Sequence, residues 1–283
     1  MISDHQTNTV YFADSVLQLK NFSGNMEALL KKNAIVFKIL KSAKDSNCRD
    51  YMPVQLKENH FVQFVYRPES YLGRNEYRYL TDPVRTELEN DLVRPFYSRV
   101  ILDGSNVVKG EDKVIITNKV LKDNRYQFDY DDRAIIRQLE NIFGCRVIII
   151  PALPGDKTGH AGRLVRFINS NRVFVSSNYG TSEEIKEWLE EFQRIILKNN
   201  LNTVELPCEF EKGEKQDVGS YLDFLQVGKL IIVPVTGNTD KDEKAITAIK
   251  SSFTGDYKIE TIAEFPATKS SVTLNRIAWT VKS

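Results

Sequence analysis

The sequence predicts an α/β fold built from a repeated helix-then-strand unit. A stretch with helical spacing of apolar residues, followed by a short strand-like run, recurs about five times at a period of roughly 50 to 60 residues. Repeats of this length are typical of propellers and other arrays. An ordinary α/β alternation around one parallel sheet produces the same local pattern, so periodicity alone leaves both architectures open.

The predicted elements follow one another along the chain. The helix–strand pairs are 25–33 with 34–40, 83–93 with 98–104, 133–144 with 145–152, 183–200 with 202–210, and 241–253 with 257–265. Gly144 ends the third helix, and Thr181 with Glu184 forms a capping box that opens the fourth. Asp240 with Glu243 opens the fifth in the same way. Further short strands are predicted at 112–120, 171–177 and 229–236.

Composition excludes several classes of function. The 39 lysines and arginines balance 38 acidic residues, which leaves no electrostatic footprint for nucleic acid or an anionic membrane. The three cysteines, Cys48, Cys145 and Cys208, are widely spaced, and no CxxC pair or histidine cluster indicates a disulfide framework or a metal site. The stretch "GDKTG" lacks the spacing of a P-loop, and no GxGxxG is present, so nucleotide binding has no support.

The chain carries no membrane or export signal that we recognise. No apolar run reaches the roughly 20 residues needed to span a bilayer, and "MISDHQTNTV" lacks the basic and apolar regions of a signal peptide. We therefore expect a cytoplasmic protein.

Four polar stretches lie inside or beside the predicted strands. They are 44–53, 101–106, 158–167 and 270–279. A lone histidine is more often structural than catalytic, and an Asp-Gly after a strand is usually a turn. Each stretch, however, falls at a corresponding place in a different repeat, where a propeller would bring them together at its axis.

Seven segments in order along the chain resemble motifs of one family. They are "TNTVYFAD", "CRDYMPVQ", "FVQFVYRPESYL", "LDGSNVVKGEDKVIIT", "GHAGRLVRFI", "YLDFLQVGKLIIVPV" and "LNRIAW". Together they resemble the agmatine deiminase and bacterial peptidylarginine deiminase family. The resemblance implies the pentein fold, a five-bladed α/β propeller with pseudo-fivefold symmetry, which agrees with the independent repeat count. It also implies one agmatine-deiminase-like domain over residues 1–283.

The family hydrolyses a guanidinium group to a ureido group and ammonia through a cysteine nucleophile. A guanidinium is planar and permanently charged, so carboxylates bind it through paired, charge-assisted hydrogen bonds. A thiolate attacks the central carbon, and a histidine carries protons. The resemblance implies no metal and no organic cofactor.

Four residues match the family's site. Asp50 matches its guanidinium-binding carboxylate and Arg49 the neighbour of that carboxylate. Asp103 falls at the acidic position of the "LDGSN" motif, although Ser105 replaces a usual glycine, and His160 matches the catalytic histidine.

Four other positions depart from the family's pattern. Asn47 replaces a tryptophan, while Gly162 and Arg163 stand where the family has Asp-Gly, the aspartate being the second guanidinium ligand. Arg276 occupies the position of the nucleophilic cysteine. An arginine stays protonated in proteins and cannot act as the nucleophile.

Losing a ligand carboxylate and the substrate would leave Asp50 and Asp103 buried without a partner, which is costly. We therefore expect the guanidinium of Arg276, or alternatively of Arg163, to occupy the guanidinium site and pair with Asp50 or Asp103. The alternative is that Arg276 lies on an exposed strand face.

Three functions stay open. The first is a pseudoenzyme that has lost guanidine hydrolysis and has a self-liganded or guanidino- or polyamine-binding pocket. The second is an active guanidino-group hydrolase, either with a displaced nucleophile such as Cys48 or with a water activated by His160. The third is an assembly partner of an active deiminase, or a homo-oligomer. By analogy, the family implies polyamine and arginine metabolism.

Overall fold

The structure, a computed structural model, describes residues 1–18, 22–68, 80–92, 94–207, 221–263 and 273–283. Within these ranges the strands are β1 Thr9–Ala13, β2 Val36–Leu40, β3 Val54–Lys57, β4 His60–Val65, β5 Phe96–Ile101, β6 Val108–Lys109, β7 Lys113–Thr117, β8 Arg146–Ile150, β9 Val165–Asn169, β10 Arg172–Ser176, β11 Asn202–Leu206, β12 Leu225–Val227, β13 Leu230–Pro234, β14 Lys258–Ile262 and β15 Ala278–Val281. The α-helices are α1 Phe22–Lys32, α2 Cys48–Tyr51, α3 Pro83–Glu89, α4 Lys119–Asn124, α5 Asp132–Phe143, α6 Glu183–Lys198 and α7 Thr239–Ser252.

The described strands form five three-stranded sheets of the same design. Their orders are β15-β1-β2, β3-β4-β5, β6-β7-β8, β9-β10-β11 and β12-β13-β14. In each sheet the first strand pairs antiparallel with the middle one, and the middle strand pairs parallel with the third. A helical connection joins the two parallel strands, as parallel pairing requires. The predicted repeat is therefore confirmed, and the single parallel sheet is wrong because each parallel pair belongs to a separate sheet.

The two ends of the chain meet in one sheet. β15, near the C-terminus, pairs antiparallel with β1, and their register places Thr9 opposite Val281. This pairing supplies the first sheet with the antiparallel strand that every other sheet takes from the residues just before its middle strand. The extent of a single domain over 1–283 stays a prediction.

Helices cover the sheets with apolar faces at helical spacing. In α6 the buried residues are Ile185, Trp188, Phe192 and Ile196, which pack in one cluster with Val173 of β10. The spacing of three and four residues places these side chains on a single face of the helix. By contrast, the first strands of the sheets carry buried polar residues such as Lys109 and Arg166, which are discussed below.

Several predicted element ends are wrong by a few residues. α6 begins after Ser182, whose hydroxyl accepts from the Ile185 amide, rather than after Thr181. α7 begins after Asn238, which accepts from Lys241 N, rather than after Asp240. In both helices the polar residue directly before the helix accepts a hydrogen bond from one of the free amides of the first turn. Gly144 ends α5 in the left-handed conformation, as predicted.

Parts of some predicted elements lie outside the described residues. They are 69–72 of the third family-like segment, 208–210 with Cys208, 264–265, and 270–272. No helix within the described ranges is long and apolar enough to cross a membrane.

Candidate active site

The side chain of Arg276 lies on the carboxylate of Asp50. Asp50 belongs to the short helix α2, and Arg276 lies in a turn over 274–277, just before β15 begins at Ala278. Arg276 Nε donates to Asp50 Oδ2 at 3.1 Å, and Nη2 donates to the same oxygen at 2.5 Å. Both residues are buried, so the alternative of an exposed strand face is wrong.

Backbone bonds hold this pair in place. The Arg49 amide donates to the carbonyl of Arg276, and the Arg276 amide donates to the carbonyl of Thr273. The first bond ties α2 to the turn before β15, although the two segments are far apart in the chain. The position of Arg276 beside Asp50 is therefore fixed by the main chain as well as by the ion pair.

Each charge of the Asp50–Arg276 pair favours the ionised form of the other group. Burial alone would raise the pKa of Asp50, but the Arg276 guanidinium and the His160 ring lower it, and the net pKa lies below its usual value. Burial would likewise lower the pKa of Arg276, but Asp50 raises it above the usual value. Both groups are therefore ionised at neutral pH.

Asp103 and His160 form a second pair. His160 Nε2 lies 3.1 Å from Asp103 Oδ2, and His160 is 2% exposed. Asp103 immediately precedes a short 3₁₀ turn, Gly104–Asn106, that packs against α2. A Cβ on Gly104 would lie 2.0 Å from the carbonyl oxygen of Arg49, so only glycine allows this approach.

The positions that depart from the family's pattern lie around these pairs. Asn47 is buried directly before α2, and its backbone N–H donates to Asp45 Oδ1. Gly162 is buried against Ser105, and a Cβ there would lie 3.1 Å from the Ser105 carbonyl oxygen. Arg163 Nη1 lies 3.8 Å from Asp156 Oδ1, so it is Arg276 that pairs with Asp50.

Arg49 points away from Asp50. Its Nε donates to the carbonyl of Asn275, and its guanidinium lies 3.6 Å from Asp4 Oδ1. Successive residues of one helical turn face different directions, so neighbours in the sequence serve different clusters.

Three further carboxylates near the site were not among the predicted site residues. Asp45 accepts from Tyr66 Oη at 3.0 Å, and Asp223 accepts from Thr273 Oγ1 at 3.0 Å. Burial raises the pKa of both carboxyls, against the opposing effect of Arg276 on each. Burial alone would raise the pKa of Asp156, but Arg163, hydrogen bonds from Thr158 and His160 together lower it below its usual value. An acidic residue inside an apolar run, as in "YLDFL", is the signal that could have identified Asp223.

Cys48 is not placed to act as a nucleophile. Its Sγ lies 2.9 Å from the carbonyl oxygen of Ile277 and 3.4 Å from that of Tyr11. The residue is fully buried, and burial raises the pKa of the thiol to about 12. A thiol with such a pKa is almost entirely protonated at neutral pH and is unreactive.

The burial and the raised pKa of Cys48 predict that the cysteines of the folded protein differ in their reactivity toward an alkylating reagent. With iodoacetamide at pH 8 the folded protein should be modified at the half-buried Cys145 and not at Cys48, as read by peptide mass spectrometry. A Cys145→Ser/Cys208→Ser variant leaves Cys48 as the only thiol and should stay unmodified until denaturant is added. Rapid labelling of the folded double variant would show that Cys48 is accessible and reactive.

No group of three or more histidine, cysteine or acidic side chains that could hold a metal ion occurs in the described part of the chain.

Comparison with known proteins gives one family and one fold. A family model for Porphyromonas-type peptidyl-arginine deiminase matches residues 2–268. An agmatine deiminase of C. jejuni has a TM-score of 0.75 at 15% identity, covering 100% of this chain and 96% of that one. The agmatine deiminase of Enterococcus faecalis has a TM-score of 0.72 at 16% identity, covering 99% and 94%. A comparison with curated proteins gives no match.

A more distant likeness extends to a dimethylarginine dimethylaminohydrolase, with a TM-score of 0.54 at 11% identity over 97% of this chain and 99% of that one. At these identities the structures show the pentein fold, while the family model spans nearly the whole chain and ends before Arg276. Because the family model matches well over half of the chain, the chain belongs to the Porphyromonas-type peptidyl-arginine deiminase family.

Proposed function

We propose that this protein is a deiminase-family pseudoenzyme in which Arg276 fills the guanidinium site and guanidine hydrolysis has been lost. The observation that carries the proposal is the buried ion pair between Arg276 and Asp50, the residue that resembles the family's guanidinium-binding carboxylate. The guanidinium of Arg276 donates two hydrogen bonds to this carboxylate, which would otherwise accept such bonds from a substrate.

The ion pair also has a physical rationale. A buried carboxylate without a partner is strongly unfavourable, and a guanidinium on it removes that penalty. A protein that no longer bound a guanidinium substrate would be left with this penalty permanently. An arginine at position 276 restores the balance of charge and stands at the position where the family has its nucleophilic cysteine.

The hydrolase alternative lacks a thiol beside the histidine. Among the described residues, Cys48 faces backbone carbonyls in the core, and Cys145 is partly buried against a different hydrophobic cluster, just before β8. A nucleophile has to sit within a few tenths of an ångström of its productive position. The Asp103–His160 pair is therefore a retained part of a site that lacks its attacking group.

A second candidate is binding of a polyamine or guanidino compound next to Arg276. The raised pKa values of Asp45 and Asp223 favour it, because a carboxyl with a raised pKa gains from an added cation. Association with an active homologue or with a second copy stays a prediction.

Thermal unfolding with added agmatine tests the self-liganded pocket. The unaltered protein should show no shift in Tm with agmatine, because Arg276 already occupies the carboxylate. Arg276→Ala should gain a concentration-dependent rise in Tm, since a ligand that binds only the folded state stabilises it. Arg125→Ala, which removes an exposed arginine paired with Asp132, is the matched control and should not gain the response.

Each outcome discriminates between the candidates. A Tm rise in the unaltered protein with both agmatine and 1,4-diaminobutane would favour the polyamine-binding candidate. A rise with agmatine alone, accompanied by ammonia release, would favour the hydrolase. No response in Arg276→Ala, provided that it is folded, would contradict a guanidinium site at Asp50.

A further inference from the structure

A polar cavity is lined by Arg49 and Asn275, the chain neighbours of the buried pair Asp50 and Arg276. It has a volume of about 280 Å³, and neither Asp50 nor Arg276 lines it. Its ionisable lining includes Asp4, Arg49, Lys109 and Arg166, which come from the N-terminal 3₁₀ turn, α2, β6 and β9. The cavity is therefore built from residues of several repeats.

Three buried cations in this cavity share one carboxylate. Asp4 Oδ1 lies 3.1 Å from Lys109 Nζ and 3.6 Å from Arg49 Nη1. Asp4 Oδ2 lies 3.3 Å from Arg166 Nη2. The side chains of the three cations are 6 to 9% exposed, so solvent screens them only weakly. Positive charge is thus in excess.

Some N–H groups of the two arginines donate to uncharged acceptors. Arg49 donates to Asn275 O and to Thr280 Oγ1, while Arg166 donates to the carbonyls of Leu222 and Phe224. The ammonium of Lys109 has three donors, and its contact in the described structure is Asp4. Lys109 is therefore the cation with most capacity for another acceptor.

The cations also disfavour one another. Burial lowers the pKa of Lys109, and Arg49 and Arg166 lower it further against the opposing effect of Asp4. Burial lowers the pKa of Arg166 to about 10, with Arg49 acting in the same direction. Asp223 favours the charged form of Arg166, but the pKa of Asp223 is itself raised, and Arg163 and Arg276 also act on it. Glu111 also lines the cavity, but its side chain is 59% exposed and lies 3.7 Å from His5 Nε2, and Lys229 adds a further cation to the lining, so the positive charge stays in excess.

An unpartnered polar atom adds an independent observation. Asn275 lines the cavity and is 5% exposed, and its Oδ1 is buried without a hydrogen-bond partner in the described part of the chain. Buried polar atoms normally have a partner in the protein, in ordered water or in a ligand. A hydrogen phosphate dianion offers both acceptors for the cations and a donor for such an atom, whereas a dicarboxylate dianion offers acceptors only.

We propose that this cavity binds a small oxyanion with about two negative charges, either a phosphate or a dicarboxylate, which contacts Lys109, Arg49 and Arg166. Binding neutralises the excess positive charge at a buried position, where charge-assisted hydrogen bonds are strongest. This cavity would bind an anion, whereas Asp50 binds a guanidinium cation. The proposal does not depend on the proposed loss of hydrolysis.

Binding of inorganic phosphate and of malonate, each at constant ionic strength set with chloride, tests the proposal. Isothermal titration calorimetry and thermal unfolding of the full chain should show saturable binding of at least one of these anions. The anion that binds shows whether the ligand is a phosphate or a dicarboxylate. Lys109→Met should weaken that binding about tenfold or more, because it removes a charged hydrogen-bond donor. Lys113→Met on the adjacent strand β7 removes a lysine that bonds Ser170 O and should leave the affinity unchanged.

Phosphate also stabilises many proteins by exclusion from their surface, without a site. A Tm rise that does not saturate, or that is the same in Lys109→Met, would therefore overturn the proposal, as would absence of binding by both anions. If Lys109→Met does not fold, protection is measured in the unaltered protein instead. The responding anion should slow reductive methylation of Lys109 relative to Lys113, as read by mass spectrometry, and equal rates with and without it would overturn the proposal.

Discussion

The unaltered protein is expected to release no ammonia above background from agmatine, free arginine or an arginine peptide. Removing the nucleophile from a concerted catalytic unit lowers the rate on the order of a millionfold. Arg276 cannot replace it, because its guanidinium stays protonated and is bound to Asp50. A sensitive ammonia assay with detection of the ureido product checks this. Turnover by the unaltered protein would contradict the pseudoenzyme proposal.

Variants at positions 276 and 162 test whether the rest of the site can still catalyse guanidine hydrolysis. Arg276→Cys with Gly162→Asp should regain a detectable rate, because Asp50 and the Asp103–His160 pair are already in place. The rate should be modest, since a Cβ at position 162 lies 3.1 Å from the Ser105 carbonyl oxygen and the backbone must yield slightly. Gly162→Asp alone should stay inactive and is the matched control. Inactivity of a folded double variant would show that further positions have diverged.

Arg276→Ala is expected to lower the free energy of unfolding by about 3–5 kcal/mol. Asp50 is 3% exposed, so the substitution leaves a buried carboxylate without its main cation. Native stability is usually about 5–15 kcal/mol, so the variant should still fold at low temperature. Denaturant unfolding followed by circular dichroism measures the difference.

Two companion variants separate loss of charge pairing from other effects. Arg276→Met with Asp50→Asn removes both charges and should recover much of the lost stability, because no uncompensated charge stays buried. Arg125→Ala breaks an exposed ion pair and should lower the free energy of unfolding far less than Arg276→Ala does. A loss for Arg276→Ala as small as that for Arg125→Ala would show that the buried pair contributes little.

The stability difference should also depend on pH with a definite sign. The folded pKa of Asp50 lies below its ordinary value of 3.8, so the pair stabilises the protein above that pH. This contribution is lost as the pH falls from the ordinary value through the lowered folded pKa. In Arg276→Ala, burial no longer has a strong opposing cation and favours the neutral carboxyl. The gap in stability between the two proteins should therefore be largest near neutral pH and shrink as the solution is acidified.

Much of the fold followed from local sequence because each repeat contains its own helix and strand signals. α5 shows this, since its apolar spacing and Gly144 predicted both its face and its end. The predicted starts of α6 and α7 were wrong, because several polar residues near each helix start can act as the cap and the local backbone selects Ser182 and Asn238.

The sequence by itself determined that the chain has five α/β repeats, that its motifs resemble those of guanidine-hydrolysing enzymes, and that position 276 is arginine rather than cysteine. Only the tertiary structure decided that Arg276 lies in a buried turn on Asp50, 226 residues away in sequence. It also decided that Arg49 turns to the cavity of Asp4, and that Asp223 approaches the site. The physical reason is that helix and strand signals act over a few neighbouring residues, whereas these contacts arise when β15 closes onto β1 and brings the two ends of the chain together.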